Sequence, residues 1–179
     1  MRPEEIKEIE RGARRRHLFQ RGPTTALVQI GRTLVENVLP HRDPFLFVDT
    51  ITAIDLEEQA IAGQRTIAAD DPVFVGHFPG DPIYPGVLQL ETMGQLGICL
   101  TAFLERATTM PPMTPSALSV RALRVHSALF LAPILPGETI DIQARLLTQN
   151  DYTSVTAGQL HKSDGTIAAF AVIEAYHVE

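Results

Sequence analysis

The chain has no tryptophan and a single cysteine, Cys99. One cysteine excludes an intrachain disulfide, and with it the stapled scaffolds of small secreted proteins. Aromatic residues make up only 6% of the sequence. Few of them lie near the basic residues, so the arginine-and-aromatic pattern of nucleic-acid binders is missing. There is no GxGxxG or phosphate-loop string, no GxSxG elbow, and the six histidines show no HExxH spacing. With one cysteine and no ligand spacing, neither a metal nor a nucleotide cofactor is expected. The first residues carry charges instead of the apolar core of a signal peptide, so the expected location is cytoplasmic.

What is present suits one globular domain: 179 residues, 45% of them hydrophobic. The net charge of −6 is unevenly spread. Residues 1–32 hold eight basic and four acidic side chains, and the rest hold seven basic and seventeen acidic. Residues 1–32 therefore read as a basic extension, helical or partly disordered, ahead of a domain over 33–179. Such a head suits an acidic partner such as a carrier protein, or is simply a solvated face.

The element pattern starts with a polar helix over residues 3–18, broken at Gly22-Pro23, and a second short helix over 24–39 stopped by Pro40. Phe45 to Ile54 and Ala60 to Ala68 read as strands. A loop with Pro72, Pro79, Pro82 and Pro85 follows. A helix then runs from Gly86 to Arg106, apolar almost all round, as a buried helix is. It is long enough to suggest a membrane span, but Gln89, Glu91, Thr92, Gln95 and Thr101 would each need a partner in lipid. After Met110 to Pro115 come further strands, within Ala117–Phe130 and over Thr139–Leu147, Tyr152–His161 and Thr166–His177, with turns at Pro136-Gly137 and Ser163-Asp164-Gly165. Strands, one buried helix, then strands without intervening helices imply an α+β fold, an antiparallel sheet on a helix.

Glu91 is the only formal charge between Asp81 and Glu105. A buried carboxylate without partners tends to take up a proton, and a neutral carboxylic acid can protonate a leaving hydroxyl. A second reading is an ion pair from the helix to Arg121 or Arg124. His77 lies in GHFPGDP, where glycine and proline restrict the backbone, and a neutral histidine is a good general base at neutral pH. Alone, a loop histidine is more often packing. Gly86 adds the helix start, whose unpaired N–H groups suit a carbonyl oxygen gaining negative charge. Base, acid and oxyanion donor together fit proton abstraction beside a carbonyl with loss of a β-hydroxyl. Spacing leaves open whether His77 and Glu91 meet within one chain or across a dimer.

The strings LPHRDPFLFVD (Leu39–Asp49) and GHFPGDPIYPGVLQLETMGQ (Gly76–Gln95) resemble the β-hydroxyacyl-acyl carrier protein dehydratases of bacterial fatty-acid synthesis. PILPGETIDIQARLL and SDGTIAAFAVIEA fit the same family, and the likeness spans roughly residues 35–178. It implies a hotdog fold, with the sheet wrapped around one long helix, and homodimers with two active sites at the interface, often assembled into hexamers. It places the catalytic base on His77, the acid on Glu91 of the other subunit, and substrate contacts on Gly86, Phe78, Tyr84 and Gln95. The implied reaction converts a 3-hydroxyacyl thioester on acyl carrier protein into the trans-2-enoyl thioester, without cofactor, in fatty-acid or related polyketide and polyene synthesis. Glutamate at 91 resembles the plain dehydratases, whereas the dehydratase–isomerases carry aspartate. His41, in LPHR, matches a family histidine and is read as structural.

Tyr84, Gln89, Thr92 and Gly94 depart from the usual family residues, and the first three are expected to shape the acyl tunnel. Two alternatives stay beside the dehydratase: a hotdog thioesterase, and a non-catalytic acyl-binding hotdog subunit.

Overall fold

The computed structural model describes residues 1–178. The elements in chain order are α1 (Pro3–Ala13), β1 (Ala26–Gly31), α2 (Arg32–Val38), β2 (Thr50–Asp55), β3 (Ala60–Thr66), a 3-10 turn (Pro72–Val75), α3 (Gly86–Arg106), β4 (Val120–Phe130), β5 (Thr139–Gln149), β6 (Thr153–His161) and β7 (Ile167–His177). The seven strands form one sheet in the order β1-β2-β3-β5-β6-β7-β4, with every neighbouring pair antiparallel. The sheet curls around α3 as the hotdog resemblance implies.

Strand alternation sets the layers, because successive side chains point to opposite faces. On β7, Ala169, Ala171 and Ile173 join the core around α3, while Phe170 and Val172 face outward. The inner face takes the apolar side of α3, including Met93, Leu96, Leu100 and Phe103. Two glycines let helix and sheet approach closely. A Cβ on Gly158 would sit 2.6 Å from the Met93 Cβ, and one on Gly97 would sit 2.7 Å from the Thr156 hydroxyl. Although long and apolar enough to cross a membrane, α3 is mostly buried inside this sheet.

Three sequence expectations change. Residues 24–39 are not one helix: Ala26–Gly31 forms β1, paired with β2 through Leu27–Ala53 and Ile30–Ile51, and only Arg32–Val38 is helical. Burial alternates along ALVQIG as on a strand, and pairing with β2 decides it. The strand expected from Phe45 begins only at Thr50. Phe45 to Phe47 joins no strand ladder; side chains hold it instead, Gln95 of α3 at Phe45 and Phe47 and Arg65 of β3 at the Leu46 carbonyl.

Residues 1–32 are also not a separate extension. The helix stops at Ala13, short of the expected residue 18. Ile6, Ile9 and Ala13 then pack on the outward cluster of Val155, Ala157, Phe170 and Val172. Residues 14–19 cross the outer sheet face. Gln159 donates to the carbonyls of Ala13 and Arg16 and accepts from the amide of Leu18, and Gln143 accepts from the amide of Phe19. With β1 in the sheet, the fold begins well before residue 33.

Candidate active site

The N-terminus of α3 is the frame. Pro85 precedes Gly86, so the helix opens with a residue lacking an N–H, and the amides of Leu88 and Gln89 turn back to the Pro85 carbonyl. The amides of Gly86 and Val87 make no hydrogen bond among the described residues. They are the orphan donors every helix start leaves. A Cβ at 86 would fall 2.8 Å from the tip of the Phe130 ring, which would have to swing aside. Phe130, half exposed at the end of β4, thus covers the helix start. The sequence reading missed it, because its position depends on the β4–β7 register.

His77 sits where the proline-rich loop doubles back. Its amide donates to the Val73 carbonyl and its own carbonyl accepts from Ile83. The ring Nδ1 lies 3.0 Å from the Ile83 carbonyl oxygen. A carbonyl can only accept, so Nδ1 carries the hydrogen and neutral His77 presents a bare Nε2 lone pair. The ring stacks on Phe78 at 4.0 Å between centroids, and Phe78 is half exposed.

Glu91 is one turn and a half further along α3. Its side chain is partly exposed and lines a cavity of about 250 Å³ together with His41, Leu90, Gly94, Ile98 and Val125. Its Oε1 accepts from the Gln95 Nε2 at 2.8 Å and lies 3.4 Å from the His41 Nε2. Arg121 lines the same cavity, yet neither it nor Arg124 pairs with Glu91 among the described residues, so the ion-pair reading does not hold. His77 is not among the residues lining this cavity. The structure therefore brings Glu91 together with His41 and Gln95, and leaves His77 with Phe78 and the loop.

Gln95 and Tyr84 differ from their expected places. Gln95 is fully buried, and its amide is committed to the Phe45 carbonyl, the Phe47 amide and Glu91. It anchors the acid and the Phe45–Phe47 segment, and has no surface to offer a substrate within this chain. Tyr84 is buried too, its ring within 6.0 Å of the Arg65 guanidinium carbon. Burial pushes its phenol above the usual range, with Arg65 opposing. Gln89 donates to the Tyr84 carbonyl and Thr92 to the Leu88 carbonyl. None of Tyr84, Gln89 and Thr92 lines the Glu91 cavity. Helix phase is the reason: residues 87, 90, 91, 94, 98 and 101 share one stripe, and 89 and 92 fall off it. Cys99 is buried, which pushes its thiol far up and leaves it unreactive.

Comparison with known proteins closes the question of kinship. The FabA-like domain family matches residues 39–171. The 3-hydroxyacyl-acyl-carrier-protein dehydratase FabZ of Campylobacter jejuni is 35% identical over 145 residues, covering 81% of this chain and 95% of that protein. The chain belongs to the FabZ-type dehydratase family. The FabZ of Aliarcobacter butzleri is 32% identical over the same shares of both chains. Among solved structures, the dehydratase heterocomplex ApeI:P of Xenorhabdus doucetiae superposes with a TM-score of 0.64 at 19% identity, over 81% of this chain and 91% of that one. A Streptococcus mutans protein bound to acetyl CoA superposes at 0.56 with 12% identity, over 77% and 93%. These two likenesses speak for the hotdog fold alone.

Proposed function

We propose that this protein dehydrates 3-hydroxyacyl thioesters carried on acyl carrier protein to trans-2-enoyl thioesters, with His77 as base and Glu91 as acid. The observation that carries the reading is the pair of oriented groups. The His77 Nε2 lone pair is set free by the Nδ1 bond to Ile83, and Glu91 is held in the wall of its own cavity by Gln95. His77 Nε2 removes a proton from C2. The electrons of that bond form the C2–C3 double bond as the C3–O bond breaks, and Glu91 passes its proton to the departing hydroxyl, which leaves as water. His77 ends protonated and Glu91 ionised, and proton return through solvent resets both. The free amides at Gly86 receive the thioester oxygen as charge builds on it. Phe78 and Phe130 flank the approach. No electron is gained or lost, so the step calls for no oxidant or reductant.

In this reading Glu91 works with the His77 of a second subunit, in a homodimer with its active sites across the interface. The absence of His77 from the Glu91 cavity favours it. So does the edge strand β4, whose Leu123 and Val125 are exposed. The carrier is an acidic protein in the cytoplasm, and the pathway is fatty-acid or related polyketide and polyene synthesis. Mixing two inactive variants tests it. His77→Ala and Glu91→Ala should each form no enoyl thioester. Reassorted together at equal amounts they should regain about one quarter of wild-type activity, because about half of the dimers are mixed and each mixed dimer holds one intact site of two. No recovery, with mixed dimers present, would refute the shared site. Release of free thiol by the wild-type protein would instead favour a thioesterase.

A further inference from the structure

Glu91 does not face its cavity alone. His41 lines the same cavity, with its Nε2 3.4 Å from Glu91 Oε1. Its other ring nitrogen, Nδ1, is buried and has no hydrogen-bond partner. We infer that His41 is a positioning residue for the dehydration proposed above: its Nε2–H joins the Gln95 amide on Oε1 of Glu91, so the proton given to the leaving hydroxyl is carried on Oε2.

The donors can be assigned from the network. Gln95 accepts from the Phe47 amide through its Oε1. Its Nε2 is therefore the donor to the Phe45 carbonyl and to Glu91 Oε1. For His41, the Nδ1–H tautomer would bury an unpaired donor and set the Nε2 lone pair against a carboxyl oxygen. The Nε2–H tautomer leaves only an unpaired acceptor at Nδ1 and turns the one N–H toward Glu91. Two donors then converge on Oε1. An oxygen receiving both cannot also carry the acid hydrogen without directing it at a donor, so the hydrogen belongs on Oε2, on the other side of the carboxyl.

Two points of attachment matter because the terminal torsion of a glutamate is soft and nearly two-fold. Gln95 alone would let the carboxyl pivot and exchange its oxygens. The 3.4 Å separation is longer than a formed hydrogen bond, and such contacts tighten when substrate closes the site. The imidazole is neutral at pH 7, because burial holds its pKa below the ordinary histidine range, with Glu91 opposing and Arg42 adding to the effect. The charged groups that face it are Glu91 on α3, Arg121 on β4 across the cavity, and Arg42 on its own segment.

The test pairs turnover with a spectroscopic readout. His41→Leu should lower kcat by about ten- to a hundred-fold with KM little changed, as expected when an acid is misaligned but substrate still binds. His41→Gln, which restores an N–H at similar reach, should recover most of it. In the wild-type protein, 15N NMR of the His41 ring should show the Nε2–H tautomer, and Glu91→Gln should shift the Nε2 resonance. An Nδ1–H tautomer, an Nε2 resonance indifferent to Glu91→Gln, a His41→Leu variant with unchanged kcat, or a folded His41→Gln variant as impaired as His41→Leu would each overturn the inference. If the wild-type protein forms no enoyl thioester at all, the dehydratase reading fails, and the NMR arm still decides whether His41 holds Glu91.

Discussion

At the scale of single residues, the candidate site is held together by side-chain amides and imidazoles as much as by the two proposed reacting groups. Gln95 joins α3 to the segment Phe45–Phe47 and to the acid. Gln95→Leu should strand the buried Phe47 amide and release the part-buried Phe45 carbonyl. The expected loss is about 2–4 kcal/mol in denaturant unfolding, alongside a large fall in kcat. Legibility differs among the side chains. His77, Glu91 and Gly86 stood out because charge, glycine and proline are conspicuous in an apolar neighbourhood. His41 and Gln95 did not, since nothing near them in sequence indicates that they turn toward position 91. A second prediction concerns His161, which is buried and stacks on His17 at 4.2 Å. Burial pushes its pKa down from 6.5 to about 4, with His17 adding and Asp141 opposing. Between those values the unfolded chain binds the proton and the folded one does not. Stability is thus full above pH 6.5 and falls as the pH drops toward 4, by roughly 3 kcal/mol from this residue. Melts across that range should steepen this way in the wild-type protein and flatten in His161→Gln.

At the scale of elements, α3 was readable end to end because its signals are local: Pro85 before the first turn and a continuous apolar run after it. Its finish is less regular. Ala107 ends the helix in the left-handed region, at φ 48°, and its amide bonds back to the carbonyls of Leu104 and Phe103. That conformation suits glycine and costs an alanine about 1 kcal/mol. Ala107→Gly should therefore raise the melting temperature by about 2 °C in a chain of this size, with activity unchanged. Strand β1 was not readable. Six residues with mixed polarity fit a helix as well as a strand, and only the pairing with β2 selects one.

At the scale of the whole molecule, the N-terminal segment belongs to the fold. It covers apolar side chains on the outer face of the sheet, including Phe170 and Val172, and residues 14–19 are tied down by Gln143 and Gln159. Deleting residues 1–22 should uncover that patch. The expected outcome is a lower melting temperature, binding of a hydrophobic dye and concentration-dependent light scattering, while the α3 site stays intact. A truncated protein with the wild-type melting temperature would show the segment to be dispensable.

Local sequence was enough to single out the candidate groups, a histidine in a restricted loop, a lone acid on an apolar helix and a glycine at that helix's start, and to place the chain in its family. Tertiary structure alone decided which neighbours those groups have. The phase of α3 against the sheet, set by the close approaches at Gly97 and Gly158, turns Glu91 toward His41 and turns Gln89 and Thr92 into the closed core. Side-chain direction on a helix depends on which face the rest of the chain covers. Here the covering residues lie tens of positions away in sequence, on α2 and on strands β3 to β7, where no local pattern records them.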